Sequence, residues 1–234
     1  MKSKVILITG TSKGIGKALA EYFLNMGCVV YGCSRGNSTI INSLYTHLEM
    51  DVSDEISVKK LFNLIRTEQS RLDILINNAG SASMNHFLLT PLSTVENLFK
   101  VNFIGTFLFT REAAKLMSKN KFGRIINFST VAVPLRLEGE AVYAALKASI
   151  VNLTETLSKE LSIYGITVNC IGPTPINTDL IKSVPKNKIQ ELINTQSIKR
   201  LGDFNDIINV INFYISPESN FITGQTIYLG GIIK

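Results

Sequence analysis

Tyr143 and Lys147 stand four residues apart in a stretch that reads as helix, so both side chains project from one face. A phenol, with a pKa of about 10, is a poor acid–base group at neutral pH. An ammonium close by stabilises phenolate and draws that value towards the working range. Such a pair suits transfer of a proton to or from a substrate oxygen. Ala141, Ala144, Ala145 and Ala148 keep the helix small-sided, with room for something to pack closely. The stretch before it ends in Ser129 and Thr130, hydroxyl residues able to polarise a substrate oxygen. A second chemical feature opens the chain, Thr9-Gly10-Thr11-Ser12-Lys13-Gly14-Ile15-Gly16. Its glycines remove side chains where a backbone must approach a phosphate. The helix start that follows offers free N–H groups and a positive dipole end to that anion.

Both features need elements to position them. Short β-branched runs at 5–9, 29–33, 74–76, 124–129 and 167–171 alternate with amphipathic stretches at 17–26, 56–69, 95–119 and 142–164. Strands apolar on both faces and separated by helices require a parallel sheet covered on each side. The pattern predicts an α/β chain, one doubly wound Rossmann-type domain over 1–234 with helices on both faces of a parallel sheet. Ligands in such a fold lie beyond the carboxyl ends of the strands, where the glycine turn and Ser129-Thr130 both fall. The stretch 180–200, polar and interrupted by Pro185, reads as a lid over substrate or as a plain surface connection.

Composition removes several other classes. Lys and Arg total 24 against 18 Asp and Glu, a net +6 shared evenly by the two halves, with no basic run of the kind a nucleic-acid binder concentrates. No apolar run reaches the roughly 20 residues of a membrane span, nor the length of a secretory core. Cys28, Cys33 and Cys170 sit in apolar surroundings and read as buried thiols in a reducing compartment. His47 and His86 have no metal-ligand spacing. The expectation is a cytoplasmic protein with no metal, no membrane contact and no nucleic-acid partner.

The glycine turn is followed by Asn77-Asn78-Ala79-Gly80, Tyr143-Ala144-Ala145-Leu146-Lys147, Ile222-Thr223-Gly224-Gln225 and Gly230-Gly231. In that order and spacing these segments resemble the short-chain dehydrogenase/reductase family over nearly the whole chain. The family loop is T-G-x-x-x-G-x-G. The resemblance implies that Gly10, Ser12, Lys13, Gly14, Ile15, Gly16, Asn78, Ala79 and Gly80 bind a dinucleotide. It sets Asp51 and Val52 beside the adenine, and Pro173, Ile176 and Thr178 at the nicotinamide. Tyr143 becomes the proton donor. Lys147 lowers its pKa and holds the nicotinamide ribose, and Asn102 supports a proton-relay water. The family serine lies about thirteen residues before the tyrosine, which falls on Thr130, with Ser129 as the fallback. Thr174 stands where the family usually has glycine, and Leu229 where it often has an acid.

The resemblance also bears on cofactor, substrate and assembly. The family's acidic, NAD-selecting position falls on Ser34, and Arg35 follows it. With Lys13 opposite, this implies NADP(H) in preference to NAD(H). The layout is similar to 3-oxoacyl-carrier-protein reductases, which implies a small-molecule or carrier-bound carbonyl substrate. A sugar or secondary-metabolite ketone fits nearly as well. Arg136, Glu138 and Glu140 fall on one rim, and His86 with Phe87 on the other. Lys121 and Arg124 are available to an acidic carrier, although Arg124 has the alternative of supporting its strand. The stretches 95–119 and 142–164 imply a homodimer or homotetramer, with 227–233 in a second interface. The competing reading is a non-catalytic NADP(H)-binding regulator on the same fold.

Arg35→Ala tests the cofactor expectation. Loss of one charge-assisted contact, worth about 1.5–3 kcal/mol, should lower the ratio of NADPH to NADH efficiency roughly tens-fold in steady-state assays.

Overall fold

The computed structural model describes residues 4–176 and 186–232. Its strands are β1 (Val5–Thr9), β2 (Val29–Ser34), β3 (Tyr45–Glu49), β4 (Ile74–Asn77), β5 (Gly123–Phe128), β6 (Ile166–Gly172) and β7 (Thr226–Tyr228). They form one parallel sheet in the order β3-β2-β1-β4-β5-β6-β7. The chain runs outward from β1 to β3 and then returns to pair β4 with β1, so the order reverses between β1 and β4.

Alternation along the strands explains why both faces are covered. Val5 and Leu7 of β1 join one core with α2 (Glu55–Gln69) and α4 (Gly105–Asn120). Ile6 and Ile8 join another with α1 (Gly14–Asn25) and α8 (Phe204–Ile215). Asp54 caps α2 by accepting from the backbone N–H groups of Ile56 and Ser57. Four further helices are α3 (Leu92–Phe99), α5 (Ala132–Leu135), α6 (Ala141–Leu161) and α7 (Lys186–Thr195).

Three sequence expectations change. The strands β3 and β7 were not among the expected ones. Both are edge strands, only half-buried, so they lack the two-sided apolar signal of the central five. The helix expected over 95–119 begins at Leu92, with Pro91 in the capping position, where its missing N–H removes nothing. It is also not uniform, because one π turn, Lys100–Ile104, joins α3 to α4. Arg124, offered as a carrier contact, is buried in β5, with its guanidinium 4.6 Å from the Phe122 ring centre. A side chain in that position supports the strand and is not open to a partner.

A buried polar chain ties the helices beside the site to the sheet. Asn77 Nδ2 donates to Thr110 Oγ1 at 2.9 Å and to Asn127 Oδ1 at 2.8 Å. Asn127 Nδ2 in turn donates to Thr154 Oγ1 at 2.9 Å. It links β4, β5, α4 and α6. Asn127→Ala should cost about 2–3 kcal/mol of unfolding free energy, read from the urea midpoint, because Asn77 and Thr154 lose a partner where water cannot replace it.

Candidate active site

The glycine turn leaves β1 and enters α1 under tight steric control. Gly10 takes φ +78°, and a Cβ there would come within 2.9 Å of Asn78 Nδ2. Asn78 Nδ2 donates to the carbonyl oxygens of Thr9 and Gly10 at 2.8 and 3.3 Å, and Ala79 N–H donates to Thr9 Oγ1 at 2.9 Å. These bonds pin the end of β4 to the turn. Side chains on Gly10 and Gly16 would collide with Asn78 and the Gly10 carbonyl, so glycine lets the turn close on β4. The helix α1 then opens with no side-chain cap and no acid in its first turn, leaving its N–H groups to an anion such as a pyrophosphate. The residues present therefore fit a dinucleotide. Lys13 and Arg35 are exposed and have no acidic partner among the described residues. Asp51 accepts from the N–H and hydroxyl of Ser53, and Val52 packs against Gly105.

Tyr143 and Lys147 lie on the first two turns of α6, beside the carboxyl end of β5. Lys147 is only 5% exposed, and its Nζ donates to the Phe128 carbonyl at 2.9 Å. Burial pushes its pKa down to about 8, with the Cys170 thiol acting weakly in the other direction. The Tyr143 ring centre is 6.0 Å from that nitrogen. Burial raises the phenol well above its ordinary range, the Glu140 carboxylate adds to the rise, and the neighbouring Thr130 hydroxyl opposes it. The expected lowering by Lys147 is absent from this geometry, since desolvation outweighs an ammonium that faces a carbonyl instead. The phenol is thus held protonated, the form that a proton donor needs.

The two hydroxyl candidates separate clearly. Ser129 is buried and donates to the Lys147 carbonyl at 3.2 Å, while Thr130 faces Tyr143 and accepts from Ala132 N–H at 3.2 Å. Asn102 lies in the π turn, which swings its amide inwards. Its Nδ2 donates to the carbonyls of Ser81 and Leu98 at 2.9 and 3.0 Å, leaving Oδ1 buried without a partner. A Cβ on Gly80 would stand 3.0 Å from that oxygen and 3.5 Å from Lys147 Nζ. Glycine at 80 therefore keeps open the space that Asn102 and Lys147 share.

A cavity of about 440 Å³ opens beside Tyr143. Tyr143, Thr130 and Ser129 line it together with Ile15, Pro173 and Ile176, and its walls include Ala82, Met84, Val131, Leu135, Leu137 and Leu192. Arg136, Glu138 and Glu140 reach it as expected, and α7 adds Lys188 and Glu191. His86 and Phe87 do not line it; both are exposed, and Met84 takes the rim position instead. Thr174 is 4% exposed and packs where side chains on Gly202 and Gly230 would collide with it. Two distant glycines make room for the missing one. Thr178 and the 180–185 part of the expected lid lie outside the described residues. The apolar walls were missed because Ala82 and Met84, Val131 to Leu137, and Leu192 come from three separate segments.

Comparison with known proteins gives the class. A family model described as Enoyl-(Acyl carrier protein) reductase matches residues 10–231. The chain belongs to the short-chain dehydrogenase/reductase family and is an oxidoreductase of the kind that uses a pyridine nucleotide. It is 30% identical to the 3-oxoacyl-[acyl-carrier-protein] reductase FabG of Vibrio harveyi over 99% of this chain and 97% of that one. Among solved structures it resembles ElxO with NADP bound (TM-score 0.90, 29% identity, 99% and 98% of the two chains). It also resembles the 3-ketoacyl-(acyl-carrier-protein) reductase of Brucella melitensis complexed with NADH (TM-score 0.91, 25% identity, 98% of each). Among the described residues no helix is long and apolar enough to cross a membrane, and no cluster of metal-ligating side chains occurs.

Thr130→Val should reduce turnover about 100-fold with the fold intact by circular dichroism, the usual scale for removing one oxyanion donor. Ser129→Ala, which removes a bond to backbone, should cost less in the same assay.

Proposed function

We propose that this chain is an NADPH-dependent ketoreductase that converts a carbonyl to a hydroxyl. The observation that carries the reading is the single cavity lined both by Tyr143 and Thr130 and by Ile15, Pro173 and Ile176. Gly10, Ser12, Lys13, Gly14, Ile15 and Gly16 hold the dinucleotide with Asn78, Ala79 and Gly80. Asp51 and Val52 flank the adenine, and Pro173, Ile176 and Thr178 contact the nicotinamide. Ser34 in place of an acid, with Lys13 and Arg35 free of acidic partners among the described residues, favours NADP(H) over NAD(H), and ElxO with NADP bound supports the same preference.

When bound, the reduced cofactor supplies the hydride. Thr130 and Tyr143 donate hydrogen bonds to the substrate oxygen, and Tyr143 gives it a proton as charge builds there. Lys147, charged below about pH 8, holds the nicotinamide ribose and does not itself lower the pKa of the phenol. Asn102 Oδ1, Gly80 and Lys147 border the path by which that proton is restored. Apolar walls with a charged rim suit an acyl chain ending in a polar carrier arm, the substrate class named in the carrier-protein reductases above. A sugar or secondary-metabolite ketone makes less use of those walls. The helix α7, within the stretch 180–200, acts as the lid, and the protein works as a homodimer or homotetramer in the cytoplasm.

A panel of carbonyl substrates followed by NADPH absorbance tests the reading. Turnover of a 3-oxoacyl thioester by the parent, abolished in Tyr143→Phe with NADPH binding retained, is the expected result. Binding without turnover across the panel, with Tyr143→Phe indistinguishable from the parent, would instead mark a non-catalytic nucleotide sensor. Reduction should also decline as pH rises through about 8, because Lys147 is charged below that value and neutral above it.

A further inference from the structure

His47, on β3, lies outside the cavity, yet both of its ring nitrogens are engaged. Nε2 is 3.0 Å from the Gly36 carbonyl oxygen and 3.2 Å from Ser34 Oγ. Nδ1 is 3.0 Å from the Tyr45 hydroxyl and 3.4 Å from Thr11 Oγ1, and Tyr45 donates to Thr11 Oγ1 at 2.8 Å. The ring therefore ties the glycine turn after β1 to the turn after β2. Gly32 makes this cluster possible, since a Cβ there would collide with both the Tyr45 hydroxyl and Thr11 Oγ1.

A carbonyl oxygen only accepts, so Nε2 carries a proton. The hydroxyls at Nδ1 both donate and accept. The cluster thus holds a neutral ring or an imidazolium with its hydrogen bonds intact. Its surroundings are mixed in charge. Lys13 stands on the glycine turn, Arg35 follows Ser34, and Glu49 lies two residues along β3 on the same side, paired with Ser34. On α1, Lys17 and Glu21 pair with each other at 3.7 Å. Tyr45 is the other titratable group in contact, and residues 36–44 carry no charge.

We propose that His47 is a positioning residue for the 2′-phosphate of NADP(H). It fixes the 34–36 turn that presents Arg35 and, when protonated, places a positive charge behind Ser34. Preference for a 2′-phosphate over a 2′-hydroxyl is then greater with the ring charged than with it neutral. The inference rests on the NADP(H) preference argued above.

The test is calorimetric binding of NADP+ and NAD+ in a pH series from about 5.5 to 8.5. Parent, H47Q, H47F and R35A are compared. The 2′-phosphate itself gains charge with pH, but equally for every variant, so the readout is the NADP+ preference of the parent relative to H47Q. That relative preference should fall about 10-fold from the acid to the alkaline end, while NAD+ affinity differs little between the two. H47Q retains an amide able to bond the turn, so it should bind NADP+ with the pH response lost, whereas H47F should lose preference at every pH. If H47Q tracks the parent throughout while R35A loses its preference, the role of His47 is overturned and the cofactor assignment stands. If parent and R35A both bind the two cofactors equally, the assignment fails and the inference with it. Circular dichroism identifies a misfolded H47F, in which case H47Q alone decides.

Discussion

The pairing of β1 with β4 is the constraint on which the site depends. The chain lays β2 and β3 on one side of β1 and then returns to build the rest of the sheet on the other. Connections leaving the carboxyl ends of β1 and β4 therefore diverge to opposite faces and open a crevice between them. Asn78 spans that crevice, donating from β4 to the two carbonyls at the end of β1. The glycine turn, the Asn78-Ala79-Gly80 segment and the hydroxyl end of β5 all face it for the same topological reason.

Electrostatics inside the crevice follow from how dry it is. Burial raises the Tyr143 phenol and lowers the Lys147 ammonium, so each group is biased towards its neutral form. A neutral phenol is the right starting state for giving up a proton, and a lysine balanced near neutral pH can respond to charge that forms beside it. Glu140 deepens the bias on Tyr143 from within the same cavity. Acid–base character here is a property of the enclosure as much as of the four-residue spacing.

Local conflicts are resolved at a distance. Thr174, where glycine is usual, is accommodated by the bare Cα atoms of Gly202 and Gly230. The π turn at Lys100–Ile104 departs from regular helix, yet it turns Asn102 towards Gly80 and Lys147. Gly32 in the middle of β2 makes space for Thr11, Tyr45 and His47. Each irregularity serves an atom belonging to another element, which explains why none has a signature within its own segment.

Central strands, the glycine turn and the Tyr143–Lys147 pair were legible in the residues alone, because buried strands and one helical turn impose short periods that a linear reading detects. The half-buried edge strands β3 and β7, the π turn, the separation of Ser129 from Thr130 and the walls of the cavity were not. Edge strands lose half of their apolar signal. Ser129 and Thr130 are neighbours in sequence, but successive residues leave a strand end in different directions, so only packing against α6 assigns one to the Lys147 backbone and the other to the phenol. Where the chain's chemistry lies is written in local spacing; which atoms meet, and in which ionic state, was decided when distant segments closed over them and removed water.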